Sequence, residues 1–175
     1  MLLALALAAP RRLLAILASR GMSPPSPTVE ITEDLLLASV VRARTVLDQL
    51  RESGVRVAID DFGSGYAAMT YLHELPVDEL KLDRQFIAPI LHDESAAAIV
   101  RSVLELAHEF GLTSVAEGVE NKAAADLLKS FGCGFAEGHY FSPPVPAQAI
   151  RLGIGISKPA DAPVTRSAAT RPSWA

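Results

Sequence analysis

The sequence predicts an α/β fold built on a parallel sheet, on three observations. Short apolar strands alternate with amphipathic helices along the chain. Ala, Leu and Val dominate while aromatic residues make up only 6%, a composition that suits helices packed on parallel strands. Charged residues recur where strands end: Glu30, Asp60 with Asp61, Lys81, Glu117 and Glu137. In a (β/α) barrel that end of the strands carries the active site.

The elements follow in order. Leu13, Leu14, Ile16 and Leu17 recur at helical spacing and stop at Gly21. Met1–Ala9 is apolar, but no positive charge precedes it and it is too short to span a bilayer, so a helical segment is preferred over an export signal. Ser23-Pro-Pro-Ser-Pro27 reads as a connector. Thr28–Ile31 is a short strand, and Leu35–Ser53 a long helix with Leu36, Val40, Val41, Leu47 and Leu50 on one side, ending at Gly54. Val55–Ile59 is a strand that delivers Asp60 and Asp61 to a Gly63-Ser-Gly65 turn. Ala67–Leu72 is a short helical piece broken by Pro76, and Glu79–Leu82 is a strand. Ser95–Phe110 is the clearest helix, with Ile99, Val103, Leu106, Ala107 and Phe110 at a 3.6 period. Thr113–Ala116, Lys122–Lys129 and Gly134–Glu137 complete the alternation as strand, helix and strand. From about Gly153 the chain loses periodicity and reads as a disordered tail. The organisation expected is residues 1–27 as helix and connector, 28–152 as the folded unit and 153–175 as tail.

Length and charge narrow the function. A chain of 175 residues, half of them hydrophobic, holds one domain or part of one. A net charge of -4 argues against a broad nucleic-acid surface. One cysteine, Cys133, excludes an internal disulfide and a cysteine-rich zinc site, and the plain expectation is a cytoplasmic protein.

Two adjacent carboxylates, Asp60 and Asp61, repel each other unless a cation or a proton neutralises them. Glu30, Asp60, Asp61 and Glu117 are hard oxygen ligands with no His or Cys at a strand end beside them, which selects Mg²⁺ or Mn²⁺ over Zn²⁺. Two such ions about 3.5–4 Å apart polarise a phosphoryl oxygen and generate hydroxide, so the residues point to metal-assisted phosphoester hydrolysis. Lys81 would position the nucleophile or offset phosphate charge. Plainer roles stand beside these. Asp61 could cap a turn, Asp60 with Lys81 could be an ion pair without a metal, and Glu33 could serve only as a charge at a helix start. Asn121 reads as a helix cap, and His73, His92, His108 and His139 share no spacing.

Together the motifs resemble the EAL-domain family of bacterial cyclic di-GMP phosphodiesterases. The resemblance is carried by Glu30-Ile-Thr-Glu33, Asp60-Asp-Phe-Gly-Ser-Gly-Tyr66, Leu75-Pro-Val-Asp-Glu-Leu-Lys-Leu-Asp-Arg84, Ala116-Glu-Gly-Val-Glu120 and Gly132-Cys-Gly-Phe-Ala-Glu-Gly138. It implies a TIM-like barrel that hydrolyses cyclic di-GMP to pGpG with two Mg²⁺ or Mn²⁺ ions. By the same resemblance Glu30 is a ligand of the first metal, Asp60 the bridging ligand and Asp61 a ligand of the second. Lys81 matches the lysine that holds the attacking water, and Glu117 the carboxylate near the second metal. Glu33 matches a glutamate that braces the loop from Phe62 to Tyr66.

The sequence also departs from that pattern. It contains no Glu-Ala-Leu, its one asparagine is Asn121, and Glu137 stands where the family usually has glutamine. The match begins in the helix before the family's third strand, so the fold expected is a partial TIM-like barrel lacking the first two β/α units. Such a barrel has open strand edges and an exposed flank, which a second copy or a partner chain would cover. Loss of a glutamate and an asparagine ligand leads us to expect little or no turnover from the chain alone. The alternatives are a non-catalytic module that binds cyclic di-GMP or a protein, and a gene fragment whose missing strands are encoded upstream.

Overall fold

The computed structural model describes residues 2–32, 40–63 and 72–146. Their elements run α1 (Leu2–Ser19), β1 (Thr28–Thr32), α2 (Val40–Glu52), β2 (Arg56–Phe62), a 3₁₀ turn at Leu72–Glu74, β3 (Glu79–Leu82), α3 (Arg84–Ile87), α4 (Glu94–Glu109), β4 (Thr113–Ala116), α5 (Lys122–Ser130) and β5 (Phe135–Ala136). The strands form one sheet in the order β1-β2-β3-β4-β5, and every pairing is parallel. Sequential parallel neighbours joined by helices are what the strand–helix alternation requires. This is the expected α/β architecture.

Paired residues in a parallel sheet point to the same side, and neighbours along a strand point to opposite sides. The register therefore sorts the side chains. One face carries Val29, Ile31, Val57, Ile59, Leu80 and Leu82, which join Leu47 and Leu50 of α2 and Val100, Val103 and Leu104 of α4 in a single apolar core. The other face carries Glu30, Arg56, Ala58, Asp60, Glu79 and Lys81. Apolar residues thus hold the helices on one side while charged residues accumulate on the other.

Several boundaries differ from the sequence reading. Helix α1 starts at Leu2 and runs through Pro10, and Leu17 is buried in the core. Strand β2 continues past Ile59 to Phe62, so the two aspartates lie within the strand. Helix α3 is an addition; Asp83 caps it by accepting a hydrogen bond from the Gln85 amide. In α4 the buried stripe is Ala96, Val100, Val103, Leu104 and Ala107, whereas Ile99 and Phe110 are 48% and 44% exposed. Ile99 and Phe110, eleven residues apart, project from nearly the same side of the helix, about a quarter turn from Val100. The small side chains Ala96 and Ala107 occupy the packed face instead.

The cap read at Asn121 is present, and Asp93 supplies a second that the sequence reading did not name. Asp93 accepts from the amides of Ser95 and Ala96 at the start of α4, and Asn121 accepts from the Ala124 amide at the start of α5. Among the described residues, β1 and β5 are the sheet edges; Phe135 of β5 is exposed, as are Phe141 and Val145 further along the chain. No described helix is long and apolar enough to cross a membrane. Glu33, the Ala67–Tyr71 segment and the expected tail lie outside the described residues, as does the first part of the long helix expected from Leu35.

Candidate active site

The site forms where β1 to β4 end. On β3, Lys81 is flanked by Glu30 of β1, Asp60 of β2 and Glu117 just beyond β4, all on the face away from the apolar core. Its Nζ lies 2.7 Å from Glu30 Oε1, 2.5 Å from Glu117 Oε1 and 3.8 Å from Asp60 Oδ1. The Lys81 side chain is only 8% exposed. Burial alone would lower its pKa; the hydrogen bonds to Glu117 and Glu30, with the charges of Glu117 and Asp60, outweigh that and raise it above the ordinary lysine value. Lys81 is therefore a fixed ammonium across the physiological range.

The strand geometry around the aspartates explains how they arrive. The register between β2 and β3 shifts between Ile59 and Phe62. Asp61 sits at φ 54°, a left-handed conformation that Asp tolerates better than most residues. Without the irregularity, Asp60 and Phe62 would share a face, since they are two residues apart. With it, Phe62 pairs with Leu82 and is buried in the core, while Asp60 faces Lys81. The Asp61 amide donates to Asp60 Oδ1 at 3.0 Å and fixes that carboxylate.

Asp61 stands among anions. A hydrogen bond shared with Asp83 raises its carboxyl above the usual carboxylate range, and burial with the charges of Asp60, Asp83 and Glu117 adds to the shift. Asp83 stands with Lys81 at the end of its strand in the sequence, which gave it no role in the site. Glu137 lies on the same face at the end of β5, where its amide donates to the Ala116 carbonyl and its carbonyl accepts from the Val119 amide. Its charge reaches Glu79, one layer deeper, and helps raise that carboxyl.

Glycines close the same mouth. Gly118, at φ 72°, lets the chain after Glu117 pass Arg84, whose Cβ a side chain there would overlap. Gly138, at φ 150°, packs against the Val119 backbone, and a Cβ would collide with its oxygen and nitrogen.

The structure thus brings together Glu30, Asp60, Lys81 and Glu117, with Asp61 at their edge. The donor chemistry, carboxylate oxygens in excess over one ammonium, fits a hard divalent cation. The oxygens converge on Lys81, however, and among the described residues no three Asp, Glu, His or Cys side chains are gathered to hold a metal ion. The set fits in kind and falls short in number.

The EAL domain family model matches residues 6–144. The chain is 42% identical over 118 residues to the cyclic di-GMP phosphodiesterase PdeL of Escherichia coli, covering 67% of this chain and 33% of that protein. It is similar in structure to the MucR phosphodiesterase of Pseudomonas aeruginosa in complex with c-di-GMP, at a TM-score of 0.79 and 35% identity over 84% of this chain and 61% of that one. It is similar also to Klebsiella pneumoniae BlrP1 in a manganese and cyclic di-GMP complex, at a TM-score of 0.71 and 35% identity over 75% of this chain and 34% of that one. The chain spans 21% of the length of the mycobacterial curated relatives it matches. The family match begins within α1 and takes in the five strands of the described residues. The chain belongs to the EAL domain family.

Proposed function

We propose that this chain is the C-terminal part of a cyclic di-GMP phosphodiesterase domain, with low turnover when it stands alone. The observation that carries the reading is the meeting of Glu30, Asp60 and Glu117 around Lys81, at the strand ends where a (β/α) barrel does its chemistry. Residues 28–152 would be the partial domain, 1–27 the helix and connector that pack on it, and 153–175 a tail. The flank beside β5 and the edge of β1 would be covered by further EAL sequence, a second copy or a partner chain.

Glu30, Asp60, Asp61 and Glu117 would hold Mg²⁺ or Mn²⁺, and Glu33 would brace the loop that follows Phe62. A bound divalent ion supplies Lewis-acid polarisation of a phosphoryl oxygen and a nucleophilic water at neutral pH. The chain's own contribution is positioning. Lys81 offers a permanently charged donor for a phosphate oxygen or a water, and the Asp61 amide keeps Asp60 aimed at it. Glu137 adds a negative charge to the same face, which would disfavour a phosphodiester there.

The test is conversion of cyclic di-GMP to pGpG by purified chain with Mg²⁺ or Mn²⁺, followed chromatographically. Slow, chelator-sensitive turnover that Asp60→Ala abolishes is expected. Turnover that survives Asp60→Ala would remove the metal role from that residue. A second reading, a degenerate module that binds the nucleotide without cleaving it, is favoured by the absence of a Glu-Ala-Leu motif and of any asparagine but Asn121. Calorimetric binding of cyclic di-GMP with no product over long incubation would select it.

A further inference from the structure

We propose that Arg84 is the phosphodiester-binding cation of this mouth, taking a non-bridging oxygen of the substrate while Lys81 stays held by carboxylates. This rests on the reading of the chain as part of a cyclic di-GMP phosphodiesterase domain and adds a substrate-binding residue to it.

Three observations support it. The first is charge. Lys81 already donates to Glu30 and Glu117 at 2.7 and 2.5 Å, and Asp60, Asp61 and Glu137 add further negative charge at the strand ends. A phosphodiester entering there needs a cation that these carboxylates do not already hold. The second is availability. Arg84 is exposed. From β2 onward, the other arginines of the described residues have partners: Arg56 pairs with Glu79, and Arg101 lies over the Phe131 ring at 4.5 Å. Among the described residues no carboxylate or ring pairs with Arg84. The third is place. Arg84 opens α3, three residues after Lys81, and its backbone is fixed there: its carbonyl accepts from the Ala88 amide at 2.8 Å, and Asp83 caps the turn through the Gln85 amide. Its stem lies on Gly118, the residue after Glu117. A Cβ at Gly118 would overlap Arg84 Cβ and come within 3.3 Å of its Cα and 3.5 Å of its Cγ. Gly118, at φ 72°, thus makes room for an arginine stem at the rim.

A guanidinium on that stem offers a planar fork of donors that matches phosphate oxygens. With its first carbons packed on Gly118, the side chain loses less freedom on binding than a fully mobile one would, while its head stays in water until substrate arrives. Lys81, by contrast, would have to give up Glu30 or Glu117 to make the same contact.

The experiment is calorimetry of cyclic di-GMP binding to the full chain, with Ca²⁺ in the buffer as in the BlrP1 calcium complex. It compares wild type, Arg84→Gln and Arg44→Gln at low and at raised salt, and circular dichroism melts report the fold of each. Arg44 is the control: it is exposed on α2, on the helix side of the sheet, so its loss removes the same charge away from the mouth. Arg84→Gln is expected to bind about tenfold more weakly at low salt, with the deficit shrinking as salt rises. Arg44→Gln should stay near wild type. Equal weakening in the two variants would overturn the contact, since net charge alone would explain it. So would wild-type affinity in Arg84→Gln, an outcome that leaves the cyclic di-GMP reading standing. Absence of binding by wild type would overturn both. Should Arg84→Gln not fold, Arg84→Lys decides, because it keeps the stem and the charge but not the fork: it should bind more weakly than wild type, and equal affinity refutes the contact.

Discussion

Arg56 Nη2 lies 2.9 Å from Glu79 Oε2, across neighbouring strands and one layer below Lys81. Burial raises the Glu79 carboxyl, and Arg56 draws it back down. Arg56→Met should destabilise the chain by about 1 kcal/mol at pH 7, because Glu79 is left ionised without its partner and Arg56 is itself partly solvated. The sign of the pH effect follows from the raised carboxyl. A raised Glu binds more protons folded than unfolded, so its penalty grows as pH rises through its folded pKa and fades as pH falls toward its ordinary value of 4.5. Urea melts at pH 7 and pH 4 should show the Arg56→Met deficit at the higher pH and little of it at the lower. Adding Glu79→Gln should restore most of the loss.

Asp61 gives a gain instead. Its carboxyl is raised by Asp83 and by surrounding negative charge. Between its ordinary value of 3.8 and the raised one, the folded chain holds more protons than the unfolded chain, so stability falls as pH rises through that window. Asp61→Asn removes the charge and keeps a residue that accepts the left-handed backbone. With chelator present, its melting temperature at pH 7 should exceed wild type by a few degrees. The difference should vanish near pH 3.8. An Asp61→Asn chain that melts at or below wild type at pH 7 would rule out the repulsion.

Gly138 and Gly132 separate steric overlap from backbone strain. Both have positive φ, but a Cβ at Gly132 meets nothing within 4 Å, while one at Gly138 meets the Val119 backbone. Gly132→Ala should cost about 1 kcal/mol from the left-handed conformation alone. Gly138→Ala should cost clearly more, about 3 kcal/mol, and Gly118→Ala should fall with it because of Arg84. Chemical denaturation midpoints for the three variants check the order.

Asn121 is assigned a structural task by its geometry. Its Oδ1 accepts from the Ala124 amide at 2.9 Å and so caps α5. Asn121→Ala should lower stability by about 1 kcal/mol, Asn121→Asp by much less, and Mn²⁺ binding should be unchanged in both. Altered Mn²⁺ binding in Asn121→Ala would place it nearer the site than its cap role allows.

The local elements and the identity of the carboxylates were legible in the sequence because they depend on short-range pattern. Strand alternation set which of Glu30, Asp60 and Lys81 share a face, and the cap at Asn121 follows from side-chain chemistry three residues deep. The helix face was misjudged at Ile99 and Phe110 because hydrophobic period marks an apolar side but not which part of it meets a neighbour. An ion pair between Asp60 and Lys81 stood in the sequence only as an alternative to the metal reading. Only the tertiary structure could make Glu30 and Glu117 the nearer partners, since that depends on β1 and β4 flanking β2 and β3 and on the register of each pair. The strand irregularity that lets Phe62 turn into the core, two residues after Asp60, likewise arises between strands. No spacing along one chain segment encodes it, because it is fixed by what lies alongside.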